Sequence, residues 1–278
     1  MTNFELNEIT HSIIQSEYTE MAIQNLIRKI LILMGMLTSV LGCHSGSAKV
    51  DYQHIQYKHI NLDIFKLSDF KQLKLFLNDQ NNQPYGYFKN IQKDLKACQS
   101  LAFAMNAGMY HPNYQPVGLY VENAQQLKVL NTEKGFGNFF MQPNGVLAWN
   151  AKNAVIATTD EFQKSKEFKN LNPLYATQSG PMLVSQGQVN TTFQENAQSL
   201  KIRNGVGIKN QTLYFVISRE PINFYDFAQV FKKQLKIDDA LYLDGTISSA
   251  YSPQINMSKQ HSKLGPMVAW IDHKSCAH

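Results

Sequence analysis

Four short segments place a polar side chain beside a glycine at the end of an apolar run: 104–110 (AMNAGMY), 178–182 (QSGPM), 202–208 (IRNGVGI) and 243–249 (LDGTISS). Asp244 offers a carboxylate and Arg203 a planar guanidinium with five donors. Asn106, Gln178, Ser179, Thr246 and Ser248 add hydrogen-bonding groups, and the backbone around Gly108, Gly180 and Gly245 adds amides that can meet an anion. Glu122, in Tyr120-Val121-Glu122-Asn123, is a candidate second carboxylate. A lone Asp-Gly after a strand is ordinarily a turn. Four such segments in one chain fit a site assembled from strand ends and loops. The sequence holds neither CxxC nor HExxH, so neither a metal site nor a cofactor is expected.

The elements that must carry these segments are mostly short strands. Residues 50–65 alternate apolar and polar positions and predict a strand pair. Further strands are predicted at 72–78, 101–105, 117–122, 126–130, 145–150, 154–158, 175–178, 182–184, 205–208, 212–218, 240–243 and 267–271. Helices are predicted near 87–98 and 161–168. A third is predicted at 224–235, where Phe224, Phe227, Ala228, Phe231 and Leu235 share one face. Compact turns between strands, without regular βαβ alternation, predict an α+β fold: a mainly antiparallel, twisted sheet with a few packed helices in one domain, 50–278.

Composition agrees with a folded domain: 44% of residues are hydrophobic, 11% aromatic and only 17% charged. The net charge of +5 favours anionic ligands such as phosphorylated glycans, or a lipid surface. No Lys/Arg run of the kind used on nucleic acid is present, and no nucleic-acid partner is expected. Arg28-Lys29 precede the apolar run ILILMGML (30–37), which ends in Val40-Leu41-Gly42-Cys43. That order predicts a secretory leader closing in a lipobox, with Cys43 lipidated. The preceding residues carry Glu5, Glu8, Glu17 and Glu20, so translation is expected to start at Met21, with 1–43 as extension plus signal and 44–49 as a polar tether. The protein is then expected in the bacterial cell envelope, anchored to the membrane through Cys43 and facing the periplasm. Export would let Cys98 and Cys276 pair; free thiols are the alternative.

The segments NAGMY, QSGPMLV, IRNGVGI, NFYDFA and LYLDGTISSAY together resemble a bacterial branch of the phosphodiester glycosidase family, over roughly residues 70–271. The resemblance places Asn106 to Tyr110 where the family usually reads Asn-Gly-Gly-Phe-Phe, Arg203 at the family arginine, and Asp244 to Ser248 where many members read Asp-Gly-Gly-Gly-Ser. It implies hydrolysis of a glycosidic bond in a sugar phosphodiester or related envelope glycan. Asp244 would act as nucleophile or base, Arg203 as phosphate clamp, and Asn106 on the sugar or on Asp244. Gln178, Ser179, Gly180, Gly108, Gly245, Thr246, Ser248 and Glu122 would line the substrate. The leaving phosphate monoester is already a stable anion, which lessens the need for a general acid. Thr246 and Ile247 replace family glycines. That substitution favours the runner-up reading, a non-catalytic glycan-binding envelope lipoprotein; a structural envelope lipoprotein is the third.

Overall fold

The computed structural model describes residues 50–244 and 247–273, together with Gln24. The expected leader, the Met21 start, Cys43, the tether, Gly245, Thr246 and Cys276 lie outside the described residues. The chain divides into Met1–Ser47 and Ala48–His278, and the second unit carries every described element but Gln24.

Its strands run β1 (Asp51–Tyr57), β2 (Ile60–Leu67), β3 (Leu73–Phe76), β4 (Gln99–Asn106), β5 (Tyr120–Glu122), β6 (Gln125–Lys128), β7 (Gly145–Trp149), β8 (Ala154–Thr158) and β9 (Tyr175–Ser179). They continue as β10 (Met182–Ser185), β11 (Gln188–Val189), β12 (Asn204–Lys209), β13 (Thr212–Ser218), β14 (Asp239–Tyr242), β15 (Ala250–Ser252), β16 (Met257–Lys259) and β17 (Met267–His273). Three sheets result, ordered β1-β2-β13-β12-β14-β10-β11, β16-β15-β4-β17-β3 and β6-β5-β9-β7-β8. Every described pairing is antiparallel, and the fold is α+β.

Phe65 and Phe215 on one face of the seven-stranded sheet meet Phe103 of β4, with ring centroids 4.8 and 5.3 Å apart. The same core takes in Leu147 and Trp149 from β7. Trp149 donates its indole N–H to the Leu73 carbonyl at 3.0 Å, so the third sheet is tied to the edge of the second. Burying Trp149 in this way satisfies its one polar atom.

Among the described residues the helices are α1 (Phe88–Asp94), α2 (Thr159–Lys164), α3 (Lys166–Asn170) and α4, which starts at Phe224–Gln229 and continues as a π-helical turn over Val230–Leu235, with 3-10 turns at Asn138–Phe140 and Pro253–Ile255. Phe227 and Phe231 of α4 press onto β12 at Gly205 and Gly207. A β-carbon at Gly207 would stand 2.9 Å from Phe231, so the bare backbone is what lets the helix seat there.

Three departures from the sequence expectation have local causes. The helix at 87–98 stops at Asp94, because Leu95 is extended and Gln99 closes a turn on Lys96 through both its amide and its side chain. The helix expected at 161–168 splits at Ser165, which is extended; its first half starts on a Thr158–Glu161 capping box. Strands β15 and β16 form an unexpected hairpin on β4.

Candidate active site

The four glycine-bearing segments meet, and Asn106 is where most of their bonds converge. It ends β4 with 1% of its surface exposed. Its side-chain N–H groups donate to the Asp244 carbonyl at 2.6 Å and to Asn204 Oδ1 at 3.3 Å. Its Oδ1 accepts from the Ser249 amide at 2.8 Å, and its own carbonyl accepts from Asn204 Nδ2 at 3.2 Å. Asp244 in turn donates its amide to the Ala107 carbonyl at 3.3 Å, and Leu243 donates to that of Asn204 at 3.1 Å. Ser248 donates its hydroxyl toward Ile202 O and Asn204 Oδ1, both at 3.0 Å. The loop that carries Asp244 is thereby held at both ends by β4 and β12.

Asp244 itself is half-buried. Its charge reaches Tyr110, whose phenol is pushed up to about 12, first by burial and then by that carboxylate. A phenol so shifted stays protonated at neutral pH, and it donates to the Lys263 carbonyl at 2.9 Å.

The segment 178–182 joins from two sides. Tyr242 donates its amide to Pro181 O at 3.0 Å. Gly108 lies so close to β9 that a β-carbon there would stand 2.3 Å from Thr177 Oγ1 and 2.4 Å from Gln178 O. The space beside Gly108 is therefore filled by protein, where the sequence suggested room for a ligand; the same holds at Gly180, against Asn144 and the Phe139 carbonyl. Gly108→Ala is expected to force the Asn106 segment off β9, costing about 1–3 kcal/mol as overpacking does. Thermal unfolding of the variant against wild type measures this; an unchanged midpoint would mean the segment can slide without strain.

Two further assignments are corrected by the geometry. Arg203 does not present its fork to a phosphate. It is 1% exposed. Its Nε donates to Ile222 O at 2.8 Å, Nη1 to the Tyr242 hydroxyl at 3.0 Å and Nη2 to Ser199 O at 2.8 Å. Its plane lies 3.7 Å from the Phe224 ring centroid. Burial holds its pKa below the ordinary arginine value, with the Tyr242 hydroxyl opposing the shift. Gln178 does not line a pocket either. Its Oε1 accepts from the amides of Leu119 and Asn131, and its Nε2 donates to Asn131 O and Thr159 Oγ1, which uses its whole hydrogen-bonding capacity.

Ser179 is fully buried, and its hydroxyl has no hydrogen-bond partner among the described residues. Glu122 is drawn into a different cluster: it accepts from the Tyr120 hydroxyl at 2.7 Å, and burial raises its pKa against that bond and one from the Leu77 backbone. Cys98 is disulfide-bonded. The neighbouring pairing of Gln99 with His273 brings the end of β17 alongside it.

Asn204 and Ser249 belong to the site and were not singled out by sequence. Alternation along β12 carried no signal for Asn204, because Asn204 to Gly207 are buried on both faces; enclosed there, its side chain demands specific partners.

A model of the phosphodiester glycosidase family (NAGPA) matches residues 99–266. The chain is 40% identical over 182 residues to the uncharacterized protein YigE of Escherichia coli (strain K12), a stretch covering 65% of this chain and 70% of that protein. Among solved structures, it is similar to the catalytic domain of zebrafish N-acetylglucosamine-1-phosphodiester alpha-N-acetylglucosaminidase, auto-inhibited by its pro-peptide. The TM-score is 0.54 at 13% identity, over 82% of this chain and 85% of that one. A hypothetical protein from Synechocystis gives a TM-score of 0.52 at 13% identity, over 80% and 61%. At such identity the structural likeness speaks to the fold alone.

Proposed function

The chain belongs to the phosphodiester glycosidase family, and from that premise we propose that it is an exported hydrolase cleaving the glycosidic bond of a sugar phosphodiester or related envelope glycan. The observation that carries the reading is the way Asp244 is held. Its amide and carbonyl are both bonded to the Asn106 segment, while the residue is half-buried and its charge is felt at Tyr110. A fixed backbone beneath the carboxylate is what a nucleophile or base requires.

In the proposed reaction the Asp244 carboxylate adds to the anomeric carbon or takes the proton of the water that adds there. The bond from that carbon to the phosphate oxygen breaks, and its electron pair leaves with the phosphate monoester. On the first route water then adds to the same carbon, the bond to the Asp244 oxygen breaks and the carboxylate is restored; on either route a free sugar is the second product. The leaving group needs little protonation, which accounts for a mechanism carried by one carboxylate where most glycosidases use two. Asn106 is a positioning residue for the Asp244 loop. Arg203 supports the strand ends from beneath. Lipidation at Cys43 would place the enzyme on the periplasmic side of an envelope membrane, with anionic glycans as substrate.

The test is direct. Purified protein incubated with a sugar 1-phosphodiester should release sugar and phosphate monoester in equal amounts. Saturable binding without release would instead support the glycan-binding lipoprotein, for which the Thr246-Ile247 substitution speaks.

A further inference from the structure

The withdrawal of Arg203 into the core leaves the proposed substrate's phosphate without the cation expected to hold it. A recess of 200 Å³ beside the Asp244 loop offers another. Lys201 and His261 are its ionisable members, and Ser248, Ser249 and Ser262 its hydroxyl-bearing ones; Ile202 and Ile247 complete it. Among the described residues no carboxylate lines it. We propose that this recess is an anion subsite that takes the phosphate of the substrate, with Lys201 supplying the charge and His261 and Ser262 supplying hydrogen bonds.

Three observations converge on this. The first is connection to the reacting end. Ser248 and Asn106 both bond to Asn204 Oδ1, and Asn106 also donates to the Asp244 carbonyl, so the recess and the backbone of Asp244 are anchored by the same side chains. The second is size. The recess is smaller than the roughly 300–1,000 Å³ of sites that enclose a drug-sized ligand, which suits one substituent such as a phosphate. The third is availability. Lys201 and His261 are both exposed, and neither forms an ion pair among the described residues. Lys201 is also fixed at its root, because its backbone exchanges two hydrogen bonds with Ile222. A lysine is a point charge on a flexible stem, able to follow a phosphate that an arginine fork would hold in one orientation.

The inference rests on the proposed reaction for its ligand, and the test keeps the two apart. Binding of inorganic phosphate to the full chain is measured by titration calorimetry for wild type, Lys201→Gln, His261→Gln and, as a charge control on a distant exposed lysine, Lys71→Gln. Wild type and control should bind alike, and Lys201→Gln should weaken binding by about tenfold, the scale of one charge-assisted bond. His261→Gln should weaken it by less. Absence of phosphate binding to wild type, or equal affinity in Lys201→Gln and the control, would overturn the subsite. Turnover of a sugar phosphodiester is read separately on wild type: if it fails while phosphate still binds through Lys201, the catalytic reading falls and the subsite stands.

Discussion

Asp244→Asn is expected to lower kcat on a sugar phosphodiester by about 10²–10⁴-fold, the range for loss of a positioned general base. It should do so without unfolding the protein. Its backbone is held through its amide to Ala107 O and its carbonyl from Asn106, and an isosteric amide keeps both bonds. The substitution removes one negative charge, the one felt at Tyr110. An isosteric replacement at this half-buried residue is expected to change stability by no more than about 1 kcal/mol, or about 2–4 °C in Tm for a unit of this size. The paired readout is therefore kcat and Tm on the same preparation. A variant that keeps wild-type turnover removes Asp244 from the chemistry. A variant that loses activity only in proportion to a fall in Tm makes Asp244 a structural residue.

The prediction can be this sharp because the sequence was informative about assembly. The four glycine-bearing segments were legible as strand ends, and the antiparallel ladder does gather them: β4 beside β15 and β17, β12 beside β14, and β14 beside β10. Alternation at 50–65 and the apolar run at 212–218 marked strands that the register pairs residue by residue. What sequence did not carry was direction. Asn204 and Arg203 are neighbours, yet Asn204 turns toward Asn106 while Arg203 goes to the opposite side, among Phe224 and Tyr242. Which of two adjacent polar residues faces the site depends on the register of β12 against its neighbours, and a one-residue slip would exchange them. Gln178 shows the same limit. Its four hydrogen bonds run to residues 19–59 positions away, and no local pattern announces them.

Arg203→Ala is expected to act on stability first and on turnover only through it. The guanidinium gathers three separate pieces of chain: Ser199 before β12, Ile222 after β13, and Tyr242 at the end of β14. Alanine would leave the Tyr242 hydroxyl without that donor and Ser199 O to find water, while Ile222 O keeps its bond from the Lys201 amide. Each acceptor orphaned inside costs about 1–3 kcal/mol, the desolvated contact with the Phe224 ring about 2 kcal/mol, and a void opens beneath Phe224 as well. Even after discounting the acceptors that recover a partner, a loss of about 3–5 kcal/mol follows, which for a unit of this size lowers Tm by about 10 °C. Arg203→Lys should fall nearly as far: one ammonium cannot reach three acceptors in a plane, and it surrenders more hydration on burial than a guanidinium does. The contrast with a phosphate clamp is measurable. A clamp exposed to substrate would, when replaced, raise KM at an unchanged Tm. A buried tie drops Tm, and the fraction still folded at low temperature retains its KM. A raised KM with wild-type unfolding would return Arg203 to the ligand and leave Lys201 with a lesser part.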